Sequence, residues 1–337
     1  MSDAIRAASA ELPIEPPVDG LEARFLADDA DYEPLAQLIR DVHAFDGIPW
    51  LPTADNLRFT LNHEGIRPAE DVVLVATNGQ IAGVITVERE VRDDVPTYDI
   101  WGKVAPELRR RGIATWLFDW GLGRAGHRAR VEDPQGEVHV GAHLDEEETG
   151  ARILFEGKGL APVRHFFLMR RHSLDHVPDA PLPVGLEIRP VAPDQHRAIF
   201  DAENEAFRDH WGHREPGEDA FRETFGQEET NTDLWTVAWD GDQVAGVVEN
   251  WIWPEENTRL AVRRGWLEKI SVGRPWRRRG LGRALTAAAL VRLREAGMDE
   301  AMLGVDAENP SGALGLYEGL GFRVARRSVA YRRPMER

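Results

Sequence analysis

The run Trp266–Phe322, WLEKISVGRPWRRRGLGRALTAAALVRLREAGMDEAMLGVDAENPSGALGLYEGLGF, decides how the rest of the chain is read. A short β-branched segment around Ile270 and Val272 leads into a loop with arginines at 274, 277, 278 and 279. Gly280 and Gly282 follow, and an apolar stripe on Leu281, Ala284, Leu285 and Ala288 then marks a helix. The spacing Arg277-x-x-Gly280-x-Gly282 between a strand and a helix is what a phosphate-binding turn requires. Glycines let the backbone approach a ligand closely, and unpaired N–H groups at a helix start favour an anion. Asn309, Tyr317, Gly321 and Phe322 make a second group further on.

Outward from this stretch, the order repeats. Arg109-Arg110-Arg111-Gly112-Ile113-Ala114 aligns with Arg277-Arg278-Arg279-Gly280-Leu281-Gly282, and Gly150–Leu160 (GARILFEGKGL) aligns with Gly312–Phe322 (GALGLYEGLGF). Upstream of each, two apolar strands flank a two-residue turn, Asn78-Gly79 in one copy and Asp240-Gly241 in the other, which is a hairpin signal. Before these, Leu21–Leu26 matches Leu186–Pro190, and the helical stretch Tyr32–Phe45 matches Ala198–Phe207. Each copy reads strand–helix–strand–strand–strand–helix–strand–helix–strand, a mixed α/β unit in which helices cover a sheet. The expected organisation is a loose N-terminal arm over 1–20, a first domain over 21–172, a proline-containing linker over 173–185 and a second domain over 186–337.

A chain of 337 residues exceeds the roughly 250–300 residues of a single core, which also points to two domains. There is no cysteine, so disulfides, thiolate metal sites and a cysteine nucleophile are excluded. Neither a signal-peptide core nor an apolar run near the roughly 18 residues of a membrane span occurs, and a soluble cytoplasmic protein with no membrane partner is expected. A formal net charge of −17 argues against a nucleic-acid partner and suits a cationic acceptor. Trp276 is the one aromatic in the basic loop, whereas a single-strand nucleic-acid groove needs several spaced along a basic surface.

The two motif groups, and the order around them, resemble the GNAT superfamily of N-acetyltransferases twice over, from about residue 21 onward; tandem members of this size include the mycothiol synthase group, which the chain distantly resembles. The resemblance implies two tandem domains, each a mixed, mostly antiparallel sheet flanked by helices, with acetyl-CoA as cofactor. It implies that Arg277, Arg278, Arg279, Gly280, Leu281, Gly282 and Arg283 hold the pyrophosphate, largely through backbone N–H groups. Ile270 and Val272 are the cofactor positions of the preceding strand, where an N–H near Val272 would bind the thioester oxygen, a contact worth about 3–4 kcal/mol. Asn309 would hydrogen-bond the CoA arm, or cap the helix that follows Pro310. Tyr317 would protonate the departing thiolate, since a phenol with a pKa near ~10 is protonated at neutral pH. Read without the family, Tyr317 is a buried aromatic on a short helix.

Strand alternation places Trp266, Glu268, Ile270 and Val272 on one face, so Glu268 points the same way as the acidic residue many GNAT enzymes carry on this strand, and the resemblance implies it as the candidate general base. The family's usual glutamate falls two residues earlier, at Trp266, so a water-relayed role or a salt bridge to an arginine stands beside direct catalysis. Asp209, His210 and His213 form an alternative cluster; no third histidine at ligand spacing joins them, and no metal is expected.

The first copy offers a possible second cofactor site at Val104, Arg109, Arg110, Arg111, Gly112, Ile113 and Ala114. It carries Phe155 in place of Tyr317 and Glu147 in place of Asn309, and its matching strand face, Tyr98, Ile100 and Gly102, has no acid. A phenylalanine cannot donate a proton. The second domain is therefore expected to be catalytic and the first mainly structural. The expected function is acetyl transfer from acetyl-CoA to the amine of a small molecule by direct attack, in a monomer or homodimer. The alternatives are a non-catalytic acyl-CoA-binding sensor or regulatory protein, and a protein N-acetyltransferase.

Overall fold

The computed structural model describes residues 12, 16–48, 51–213, 216–226, 230–309 and 312–335; most of the expected N-terminal arm, and Pro310 after Asn309, lie outside these. The chain divides into two compact units, Met1–Val163 with Val329–Arg337, and Arg164–Ser328.

The first unit runs β1 (Leu21–Phe25), α1 (Tyr32–Asp46), α2 (Ala54–Leu61), α3 (Pro68–Asp71), β2 (Val72–Thr77), β3 (Gln80–Arg92), β4 (Val95–Val104), α4 (Ile113–Glu132), β5 (His139–Asp145) and α5 (Thr149–Gly157). After β6 (Ala161–Arg171), the second runs β7 (Glu187–Arg189), α6 (His196–Phe207), α7 (Glu218–Gly226), β8 (Thr236–Asp240), β9 (Gln243–Trp251), α8 (Pro254–Leu260), β10 (Arg264–Val272), α9 (Leu281–Glu295), β11 (Glu300–Asp306) and α10 (Ala313–Gly319), and β12 (Arg323–Pro334) closes the chain. Strand order is β1-β2-β3-β4-β5-β12 in the first unit and β7-β8-β9-β10-β11-β6 in the second. The β4–β5 and β10–β11 pairs are parallel, and the hairpin-linked pairs around them are antiparallel. Asn78 and Gly79 turn β2 into β3 with φ of 50° and 77°, the left-handed pair that a tight hairpin needs.

Each sheet buries both faces. In the first unit Ile113, Leu117 and Phe118 of α4 cover one face, and Leu35 and Ile39 of α1 cover the other. In the second, Leu281, Leu285, Leu290 and Leu293 of α9 cover one face, while Ile199 of α6 packs with Trp235 and Trp251 on the other. The tryptophans of the second unit are thus largely core.

Chain order and packing part company at the last strand of each repeat. β6 follows the first repeat in sequence but pairs with β11 of the second unit, from Ala301↔Arg171 to Asp306↔Phe166, and sets Met169 in that unit's core. Val329 and Tyr331 of β12 enter the core of the first unit beside Val140 and Phe155. Two similar repeats offer equivalent strand edges, so either pairing satisfies the same backbone groups and alternation along the strand cannot tell them apart. Pro254–Leu260 is helical, with Pro254 in its first turn beside Glu255 and Glu256.

Candidate active site

β10 pairs with β11 over Arg264↔Glu300, Gly265↔Ala301 and Trp266↔Met302, but stays with β9 as far as Val272↔Gly246. The closed end is held by buried ion pairs, Arg264 Nε to Glu300 Oε1 at 2.7 Å and Arg264 Nη1 to Glu256 Oε1 at 3.0 Å. Beyond Trp266 the parallel strands diverge. Gly273 N–H donates to Ala245 O of β9 at 3.0 Å, and alternation along the backbone turns the Val272 N–H to the opposite edge, into the opening.

The basic turn follows at once. Arg278 and Gly280 hold φ of 60° and 86°, and Gly280 precedes α9 with no side chain capping the first N–H groups. Those groups point at the space an anion would fill. The arginines divide into two sets. Arg274 and Arg277 both grip Asp209, at 2.8 Å and 2.6 Å, and Arg274 also pairs with Glu205. Arg277 further donates to Val272 O and Ala206 O, each at 2.9 Å, so it belongs to the scaffold of the turn. Arg278 and Arg279 are exposed and Arg283 is half-buried, and none of the three forms an ion pair among the described residues. Leu281 lies in the core, leaving only its backbone at the turn.

Gly282 is where three segments meet. A Cβ there would lie 3.4 Å from Leu316 Cδ1 of α10 and 3.6 Å from Val272 Cγ2 of β10. Arg283 Nη1 lies against Gly319 of the same helix, 3.0 Å from where a Cβ would stand. Tyr317 is 6% exposed, with its ring edge-on to Phe322 at 6.1 Å. Burial alone raises its pKa, so the phenol is held protonated. Asn309 does not cap α10: Gly312, at φ 74°, takes that place, and the Asn309 carbonyl accepts from Gly312 N–H at 3.3 Å.

The expectation that Trp266, Glu268, Ile270 and Val272 share a face is corrected by a β-bulge. Leu267 lies opposite Asn250 and Lys269 opposite Glu249, so Glu268 is the extra residue and alternation reverses after it. Trp266 packs with the α6-side cluster, whereas Ile270 and Val272 pack with the α9-side cluster. Glu268 is open to solvent but crowded by protein on its other sides. That crowding raises its pKa above the ordinary carboxylate value, with Glu249 and Glu256 adding repulsion; a Trp253 hydrogen bond and the Lys269 charge pull the other way. β4 has no bulge, so Asp99, opposite Glu88, stands where Trp266 stands opposite Trp251.

In the Asp209 cluster, Asp209 is taken up by the two arginines of the turn. Burial is the first cause that lowers the pKa of His210, and the Arg274 and Arg277 hydrogen bonds hold Asp209 well below the usual carboxylate range. No three metal-ligating side chains converge among the described residues.

The first unit repeats the turn, with Arg110 at φ 64° and Gly112 at φ 84° before α4, and with Arg109 joined to Val104 O and Asp46. Ile113 is core and Ala114 exposed. Two features differ from the second unit. Pro17 Cβ lies 3.8 Å from where a Cβ of Gly112 would stand, and Lys103 Nζ binds Glu148 at 2.8 Å between the end of β4 and the start of α5. Phe155 fills the Tyr317 position against Phe118 at 5.1 Å.

Reasoning from sequence passed over Glu203, Glu249 and Lys269. Glu203 sits on the stripe that Ile199, Phe200 and Ala206 bury, and an acid at a buried helical spacing was the available signal.

A splayed parallel pair beside a helix-opening turn is suited to an acyl-CoA thioester, and known proteins place the chain in that class. Residues 196–322 match the Acetyltransferase (GNAT) family. The mycothiol acetyltransferase of Kocuria rhizophila is 32% identical over 269 residues, covering 77% of this chain and 83% of that protein. The chain belongs to the GNAT acetyltransferase family; it is an acetyltransferase, and its cofactor is acetyl-CoA. The mycothiol acetyltransferase of Geodermatophilus obscurus is 27% identical over 315 residues, covering 91% of this chain and 95% of that protein. A GCN5-related N-acetyltransferase from Sphaerobacter thermophilus superposes with a TM-score of 0.73 at 27% identity, covering 94% of this chain and 96% of that one. A tandem GNAT protein from the clavulanic acid biosynthesis pathway shares the fold, with a TM-score of 0.64 at 18% identity over 93% of this chain and 98% of that one. No described helix is long and apolar enough to cross a membrane.

Proposed function

We propose that the second unit transfers the acetyl group of acetyl-CoA to the amine of a small-molecule acceptor by direct attack. One observation carries this reading: the splayed strand at Val272, the turn at Gly282 and Leu316 of α10, the residue before Tyr317, meet at one point. The first N–H groups of α9, with Arg278, Arg279 and Arg283, hold the pyrophosphate. The Val272 N–H donates to the thioester oxygen as it gains charge. Glu268 takes the proton that the acceptor ammonium must lose, and Tyr317 gives its hydroxyl proton to the leaving thiolate. The thioester is already activated, so most of the acceleration comes from placing the amine against it.

Carboxylates around β10 and the stacked Trp251–Trp253 pair, with centroids 5.2 Å apart, favour an acceptor that is cationic and has an apolar or ring-bearing body. Relatives named mycothiol acetyltransferase make the amine precursor of mycothiol the first acceptor to assay. We read the first unit as structural, since Phe155 has no proton to give. The same reading places the protein in the cytoplasm with acetyl-CoA, as a monomer or homodimer without a nucleic-acid partner. Thiol release from acetyl-CoA across a panel of small amines tests it. Amine-dependent release is expected, whereas tight CoA binding with no turnover on any amine would favour a sensor.

A further inference from the structure

α6 carries a carboxyl where its buried stripe should be apolar. Glu203 is 1% exposed, and neither of its oxygens meets a donor among the described residues. Facing it on β9, Glu249 is 2% exposed, with Lys269 Nζ at 3.1 Å from one oxygen and Trp251 Nε1 at 3.4 Å from the other. The same ammonium lies 4.0 Å from Glu203. Two buried carboxyls therefore share one cation. The first unit builds the same sheet without them: strand register puts Thr86 at the place of Glu249 and Trp101 at that of Lys269. A buried carboxyl without a donor is strongly unfavourable, and the fold has no need of one here.

We propose that Glu203 and Glu249 share one proton, and that this pair, with Lys269, is the positioning group that keeps Glu268 ready to accept the proton of the amine. The inference rests on the acetyl-transfer reading above. The charges balance: Glu203, as a neutral acid, donates to the Glu249 carboxylate, and Lys269 offsets the single negative charge that remains. Burial, and then the charge of Glu249, drive Glu203 toward its neutral form, with Lys269 opposing. Glu268 occupies the bulge beside Lys269, and Glu249, Glu256 and Lys269 are the charged groups acting on it.

Infrared difference spectra of the full chain at neutral pH should contain a protonated-carboxyl band that Glu203→Gln removes. The pH profile of kcat/KM, measured with the fastest amine of the panel, supplies the second readout. Glu249→Gln removes a neighbouring negative charge and should move the acid limb to lower pH; Lys269→Met removes a positive one and should move it to higher pH, each by about half a unit or more. A purely structural role would lower the rate or the yield of folded protein and leave the limb in place. Survival of the band in Glu203→Gln, or an unmoved limb in both other variants, overturns the inference. If wild-type protein releases no thiol with any amine, the acetyl-transfer reading is what fails, and the infrared result alone then decides whether the proton is shared.

Discussion

Arg277 Nε donates to the carbonyl of Val272 at 2.9 Å, and Arg109 repeats that bond to Val104 at 3.3 Å in the other unit. Each arginine also grips a carboxylate at or just past the end of the first helix of its unit, Asp209 after α6 at 2.6 Å and Asp46 of α1 at 2.7 Å. The first arginine of each basic run therefore ties the turn to the strand that precedes it, and the cations left to meet a polyanion are the ones after it.

Arg277→Ala should lower stability by about 1–2 kcal/mol through its two carbonyl hydrogen bonds, the exposed Asp209 pair adding little. Arg278→Ala and Arg279→Ala should leave stability within about 0.5 kcal/mol and still weaken acetyl-CoA binding. Thermal unfolding alongside calorimetric titration with acetyl-CoA separates the two classes; equal destabilisation by all three would refute the division.

Tyr317→Phe should reduce kcat by about 100-fold with acetyl-CoA affinity unchanged, because only the proton donor is lost. Burial raises the phenol's pKa, so the donor stays protonated and contributes no alkaline fall in rate across the working range. Steady-state kinetics of the Tyr317→Phe variant, with Phe155→Tyr as the control expected to gain nothing, check this.

Glu268 must be ionised to accept a proton, and its pKa is raised. The rate should therefore fall as pH drops through a value above that of an ordinary carboxylate, and recover as pH rises. Glu268→Gln should lower kcat/KM by about 100-fold and flatten that limb. A limb that persists in the variant would assign the base elsewhere.

The first unit places Pro17 against Gly112 and Phe155 at the position of Tyr317, so one acetyl-CoA should bind per chain. Arg278→Ala should weaken that binding, and Arg110→Ala should not. Equilibrium dialysis with labelled acetyl-CoA gives the stoichiometry, and two equivalents per chain would show the first turn to be open.

Arg264 is 4% exposed between Glu256 and Glu300 at the closed end of the β10–β11 pair. Arg264→Met strands two buried carboxyls, though Arg170 still reaches Glu300, and should cost about 3 kcal/mol in chemical denaturation. A neutral effect would show that the splay does not depend on this anchor.

The turn and the tyrosine helix were legible because their constraints are local. A glycine with φ near 86° before a helix with apolar period is specified by neighbours in sequence. Glu268 was half-legible: its place on β10 could be read, but one extra residue in β10 reversed the face of everything after it, and a bulge shows itself only against the partner strand. Glu203, Glu249 and Lys269 come from a helix and two strands, and no spacing along the chain brings them together.

By itself the sequence determined that the chain holds one α/β pattern twice, that each copy has a basic glycine turn opening a helix, and that only the second keeps a phenol at the tyrosine position. These are statements about period, turn chemistry and residue type, which short-range sterics enforce. Tertiary structure alone decided which unit receives β6 and the end of β12, which arginines are taken up by Asp209 and Asp46, and that Glu268 is the bulged residue of β10. Those outcomes depend on which edges and charges meet across the fold, and residues far apart in sequence meet only when the whole unit packs.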